Sequence, residues 1–315
     1  MGAGVDPALR DAIAAARERS LARARDAARA DPLAPVAERL AAAVTLADAE
    51  AAARAVLGDI GWLYAVLGEG VRALGDDPLS EPAFTARRDT LRSGLVLLDT
   101  AAASVTLAAI DPRASAAHRL PDRLVVGGRV AWTRYLRGGG AQLWRWRADS
   151  VDAAWHAGVA ATARPLSVLP LADDMVVRID GRCDAMLLTG PSAPIVSLSV
   201  TLHRDAAPFM REYDRASGRL LRVATLDEDA ARAQMLLTLV RELGQGTPDM
   251  FAAATRDPAF FLRWDAMREW LASDAAAALP ALRAMTLDPH PEVARAATAM
   301  LPLVEARFGG GACRG

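Results

Sequence analysis

Ile195-Val196-Ser197-Leu198-Ser199-Val200-Thr201-Leu202 is the stretch on which the reading of the fold turns. From Val196 onward, apolar residues hold the even positions and hydroxyl residues the odd ones. A strand sends successive side chains to opposite faces, so this is a half-buried strand with one apolar and one hydroxyl face. Similar short runs surround it: Leu166 to Leu171, Met175 to Ile179, Ala185 to Thr189 and Leu220 to Ala224. Turn residues separate them at Ala172-Asp173-Asp174, Asp180-Gly181-Arg182, Gly190-Pro191-Ser192 and Ser217-Gly218. Strands spaced by turns every 8–12 residues or so indicate an antiparallel sandwich or barrel.

Outside this segment the period is helical. Helices are expected over Pro7 to Ala30, Val36 to Leu57, Asp59 to Leu74, and from Ser80–Pro82 to Ile110, closed by Asp111-Pro112. The apolar stretch Ser93 to Ile110 carries Asp99 and is rich in Ala and Thr. It suits a buried helix better than a membrane span, which needs about 20 residues with few charges. Thr225-Leu226-Asp227-Glu228 has the spacing of a capping box, and Leu236, Leu239, Val240 and Leu243 follow at helical spacing up to Gly244. The expected architecture is α+β. A helical region, 1–120, precedes a central antiparallel, jelly-roll-like β domain, 121–226; a helical region, 227–308, and a disordered tail, 309–315, follow.

All 37 basic residues are arginine, set against 38 acidic residues, and the chain contains neither lysine nor asparagine. That excludes a phosphate loop with its lysine, a Schiff-base or pyridoxal-phosphate lysine, and N-glycosylation. A net charge of −1 offers no field for nucleic acid or an anionic membrane, so neither is expected as a partner. Cys183 and Cys313 form no disulfide framework, and no secretory leader is visible; the expectation is a cytoplasmic protein.

Leu279-Pro280-Ala281-Leu282 and Asp288-Pro289-His290-Pro291-Glu292-Val293 carry a resemblance to HEAT repeats, with an echo at Asp257-Pro258. In that family a Leu-Pro-x-Leu helix leads through an Asp-Pro turn into a second helix. The resemblance implies stacked helices that support the β domain or bind a protein partner.

Four of the seven tryptophans lie between Trp132 and Trp155. Val130 to Arg137, Gly138-Gly139-Gly140 and Ala141 to Arg147 read as a hairpin with Trp132 opposite Trp146 and Arg134 opposite Trp144. Such a face is either a platform for an aromatic or sugar-like ligand or a surface packed beneath a helix. Directly after the decisive strand comes His203-Arg204-Asp205. A His-x-Asp pair at a strand end supplies two ligands of the facial triad that holds non-haem Fe(II). With this motif, the strand-rich segment resembles the double-stranded β-helix of cupins and 2-oxoglutarate oxygenases, although the cupin His-x-His pair is absent. The resemblance implies an iron-dependent oxidoreductase, an oxygenase acting on a small molecule or peptide, with metal ligands His203, Asp205 and a third histidine, His156 or His290. Arg211, Arg219 or Arg222 would grip a carboxylate, and Phe209, Tyr213, Trp132, Trp144 and Trp146 would shape the pocket. The alternative is a non-catalytic adaptor that binds a protein or peptide through its helices and Trp-rich sheet. Asp173, Asp174, Asp180 and Asp184 read as turn residues before they read as a cation site.

Overall fold

The computed structural model describes residues 6–81, 84–117, 119–152, 155 and 162–309. Contacts divide the chain into two compact units. The first holds 1–150, 162–207 and 212–221; the second holds 151–161, 208–211 and 222–315.

The first unit begins with α1 (Pro7–Ala30), α2 (Ala34–Ala41), α3 (Leu46–Gly58) and α4 (Gly61–Asp76). A capping box starts α3: Thr45 Oγ1 accepts from the Asp48 amide while Asp48 accepts from the Thr45 amide, satisfying two orphan donors. The chain then turns to strands. β1 (Thr85–Arg88), β2 (Arg92–Asp99) and β3 (Ala103–Ile110) form an antiparallel meander. The helix expected over this stretch is therefore overturned. The register shifts between Val96 and Leu98, which adds Leu97 as an extra residue and breaks the two-residue alternation.

A short helix, α5 (Pro112–Ala117), leads to β4 (Arg123–Val126), β5 (Val130–Arg137) and β6 (Gln142–Arg147). After them come β7 (Arg164–Pro165), β8 (Leu169–Pro170), β9 (Met175–Asp180), β10 (Asp184–Thr189) and β11 (Ile195–Leu202). One six-stranded sheet runs β1-β2-β3-β11-β5-β9, and a four-stranded sheet holds β6, β7, β8 and β10. The two-faced strand read from the sequence, β11, lies inside the larger sheet between β3 and β5. Its even residues Leu198, Val200 and Leu202 are buried with Val105, Val130 and the apolar faces of α2, α3 and α4.

The hairpin expected of β5 and β6 is absent. β5 pairs with β11 and β9, whereas β6 pairs with β10, β7 and β8. Gly139 and Gly140 take φ of +61° and +68°, and the chain passes there from one sheet to the other. The Gly139 carbonyl accepts from the Ser192 amide at 2.9 Å, locking the corner.

β12 (Phe209–Asp214) and β13 (Leu220–Thr225) form a third sheet in the order β13-β12-β4. The helices of the second unit are α6 (Glu228–Glu242), α7 (Pro248–Ala254), α8 (Phe260–Ser273), α9 (Ala275–Met285) and α10 (Pro291–Gly309). Asp227 caps α6 by accepting from the Ala230 amide; Thr225 instead ends β13, so the cap falls two residues later than the spacing suggests. The Leu-Pro-x-Leu segment lies in α9 and Pro291 opens α10. Arg263 clamps both Asp-Pro turns: it donates to the Asp257 and Pro258 carbonyls and makes a two-pronged pair with Asp288. Leu262, Ala266, Met267 and Trp270 of α8 form the centre of this unit's core with Phe251, Leu282, Val293 and Ala297. Residues 310–315, most of the tail, lie outside the described set.

Candidate functional site

The even face of the large sheet, turned to the helices, holds residues that the sequence offered as ligand contacts. Trp132 packs there with Arg54 5.1 Å over its ring. Arg134 donates to the Leu57 and Gly58 carbonyls at the end of α3 and pairs with Asp174. Arg178 makes a two-pronged pair with Glu50. That guanidinium, helped to a lesser degree by the Trp132 indole, holds the Glu50 carboxyl below its usual range. These groups join sheet to helices.

Trp144 and Trp146 stand two apart on β6 and stack at 6.3 Å, as strand alternation requires, but Trp132 belongs to a different sheet. Trp146 is buried with Leu124, Val126, Ala185 and Tyr213, and Trp144 is exposed. Phe209, Arg211 and Tyr213 are the buried positions of β12. Arg211, in the second unit, lies 5.9 Å over the Trp155 ring, in an aromatic group with Phe209, Phe260 and Phe261. Arg219 directly follows the Ser217-Gly218 turn, and Arg222 is the third residue of β13.

His203 follows β11 half-buried, and its amide donates to the Ala102 carbonyl. Arg204 ties the turn to the Ala43 carbonyl at 2.9 Å. Asp205 is exposed, with φ of +51°. His156, and also His118, lie outside the described residues. His290 sits in the second unit, stacked on Phe260 at 3.5 Å, with Nδ1 accepting from the Glu292 amide. Among the described residues no group of three His, Cys, Asp or Glu is arranged to hold a metal. The four aspartates at turns are each engaged by arginine: Asp173 by Arg137, Asp174 by Arg134, Asp180 by Arg182 and Asp184 by Arg147. Arg182 holds the Asp180 carboxyl down at about 2. Burial pushes the Cys183 thiol up, which keeps it from acting as a thiolate.

The odd face of the large sheet is the one the sequence marked with hydroxyls. Register aligns two rows across it. One runs Arg87, Gly94, Ala108, Ser197, Tyr135, Met175; the next runs Thr85, Val96, Thr106, Ser199, Thr133, Val177. Toward β9 this face is closed: Tyr135, Val177 and Ile195 pack with Leu143 and Leu171. Toward β2 it is open. Three successive strands there present the small side chains of Gly94, Ala108 and Ser197. A cavity of about 270 Å³ lies over that end, lined by Gly94, Val96, Thr106 and Ala108 with Arg87 and Arg92. Tyr135 is 2% exposed, and burial pushes its phenol up to about 12 against the opposing pull of Arg92. It is a neutral hydroxyl at any physiological pH. Thr133 and Ser199 hydrogen-bond to each other at 2.9 Å across the second row.

No family model matches this chain, and no curated protein does. Among solved structures, ectoine synthase from P. lautus is similar at 11% identity over 37% of this chain and 67% of its own, with a TM-score of 0.23. A sugar phosphate isomerase of the cupin superfamily from Silicibacter pomeroyi is similar at 16% identity over 43% and 77%, with a TM-score of 0.25. The oxalate decarboxylase of Lactobacillus farciminis, in a formate complex, reaches 11% identity over 49% and 37%, with a TM-score of 0.27. Likenesses of this size leave fold and chemistry to be argued from the chain itself.

Proposed function

We propose that the β domain binds a small polar molecule on the open half of its hydroxyl-bearing sheet face, over Gly94, Thr106 and Ala108. One observation carries this reading: strands in register set Gly94, Ala108 and Ser197 in a row of small side chains, and a cavity lies over the Gly94–Ala108 part of that row. Small residues at a sheet face leave room where a core would need bulk. The Thr106 hydroxyl supplies a hydrogen-bonding group, and Arg87 and Arg92 supply charge. Ligand-observed NMR against a set of small polyols, carboxylates and phosphate monoesters tests it, with Ala108→Leu as the variant that fills the recess. Hits that bind the wild-type chain and are lost in Ala108→Leu support the site. Equal binding to both chains, or no hits, overturns it.

The iron-dependent oxygenase reading needs a third donor beside His203 and Asp205. Asp205 is on an exposed turn, the described residues place no third donor with the pair, and His156 lies outside them, so no reaction step is routed through iron. Elemental analysis of the purified protein decides the point. The binding reading expects no stoichiometric iron; iron at one per chain that disappears in His203→Ala restores the oxygenase.

A second reading has the helical unit binding a protein partner. Its support is the row Met235, Leu236 and Leu239 on α6 with Leu243 at its C-terminal cap, all exposed. A photo-crosslinker at Leu239 gives a discrete adduct in cells if this holds, and Leu236→Glu with Leu243→Glu removes it; no adduct eliminates the partner.

A further inference from the structure

Beside the recess lies a wider cleft of about 680 Å³ at the β2–β3 end of the large sheet. It is lined by Arg88, Arg92 and Arg113 together with Ser93, Asp111 and Ser192. The two cavities share Arg88, Asp89 and Arg92, and Arg87 lines the smaller one. Four arginines thus line these two neighbouring cavities.

These four differ from the arginines that join elements elsewhere on the same sheets. Arg134, Arg137, Arg147 and Arg178 each have a carboxylate partner. Among the described residues Arg87, Arg88, Arg92 and Arg113 have none. Both carboxylates in the cleft accept hydrogen bonds from backbone amides. Asp89 Oδ1 accepts from the Leu91 and Arg92 amides at 2.8 and 2.7 Å, and Asp111 Oδ1 accepts from the Arg113 amide at 2.8 Å. Four arginines against two carboxylates, Asp89 and Asp111, leave the lining with an excess of positive charge, and the repulsion among the guanidiniums is relieved when an anion enters. Each guanidinium offers a planar fork of donors matched to the oxygens of a carboxylate or a phosphate. In a chain of net charge −1 the positive field is local to this opening and does not extend as a track.

We infer that the cleft of Arg88, Arg92 and Arg113 is an oxyanion subsite, and that the molecule bound over Gly94 and Ala108 is anionic, with its carboxylate or phosphate held there. The second half of this inference rests on the proposed function; the subsite itself does not.

The test follows the arginine Nε–H signals by NMR in a chain free of lysine, titrating inorganic phosphate and malonate separately against sodium chloride at equal ionic strength. Phosphate or malonate is expected to shift the signals of Arg88, Arg92 and Arg113 at concentrations where chloride does not. The more effective of the two anions identifies the group as phosphate or carboxylate. Arg88→Gln with Arg113→Gln is expected to weaken that binding about tenfold or more, and Arg88→Gln alone serves where the double variant does not fold. Anions no tighter than chloride, or binding unchanged in the variants, overturn the subsite. Ala108→Leu separates the two inferences. If it still takes up phosphate but loses every organic hit, both stand; if it loses neither, the recess reading falls and the anion subsite remains.

Discussion

Burial pushes the His290 imidazole below its usual range, with the Arg263 charge working the same way and Glu292, Asp288 and the Trp155 backbone opposing. An unfolded chain takes up this proton near pH 6.5, and the folded chain only at lower pH. Stability held above that value is therefore lost as the pH falls through 6.5 toward the folded-state value. Denaturant midpoints measured between pH 7.5 and about pH 5 should fall with acid in the wild type and fall less in His290→Phe, which keeps a ring against Phe260. Gly139 makes a second residue-scale case. A Cβ there meets the Ala193 carbonyl oxygen at 2.4 Å while φ is +61°. Gly139→Ala should cost on the order of 1–3 kcal/mol or more in chemical denaturation, whereas Gly190→Ala, with open space around it, pays the strain of its φ of +62° alone.

At the scale of elements, β11 was legible because one residue type filled each face of the strand. Its alternation predicts opposite costs on its two faces. Leu198→Ala empties a core position and should lose about 2–5 kcal/mol; Ser197→Ala, half-buried on the open face, should stay within about 1 kcal/mol in the same denaturation experiment. β2 and β3 were not legible, for an identifiable reason. Leu95-Val96-Leu97-Leu98 is a continuous apolar run with a register shift inside it, and the alanines around it favour helix in isolation. Only pairing with β11, about 90 residues downstream, selects the strand. The β5–β6 hairpin failed in the opposite sense. Three glycines between two strands have the form of a tight hairpin loop, and nothing local reveals that the loop crosses between sheets. The odd-face hydroxyls were visible in the sequence, but the recess was not, because Gly94, Ala108 and Ser197 become neighbours only through register.

For the whole molecule, the absence of lysine leaves arginine as the only permanent cation, and the structure sorts the described arginines by role. Several join elements: Arg178 reaches α3, Arg134 caps it, and Arg263 clamps two turns of the helical unit. Arg87, Arg88, Arg92 and Arg113, which form no ion pair among the described residues, gather at the open end of the large sheet. The aromatic and His-x-Asp groups that stood out in the sequence are largely packing residues or turn residues in the structure, while the open sheet face lies elsewhere. The measurement that tests this account most directly is an amide-shift map of the wild-type chain titrated with its best-binding small molecule. The account predicts that the Gly94, Thr106 and Ala108 amides shift together and saturate at one concentration, and that Ala108→Leu abolishes the response. Shifts confined to the His203–Asp205 turn or to α6, with those three amides unmoved, would contradict it.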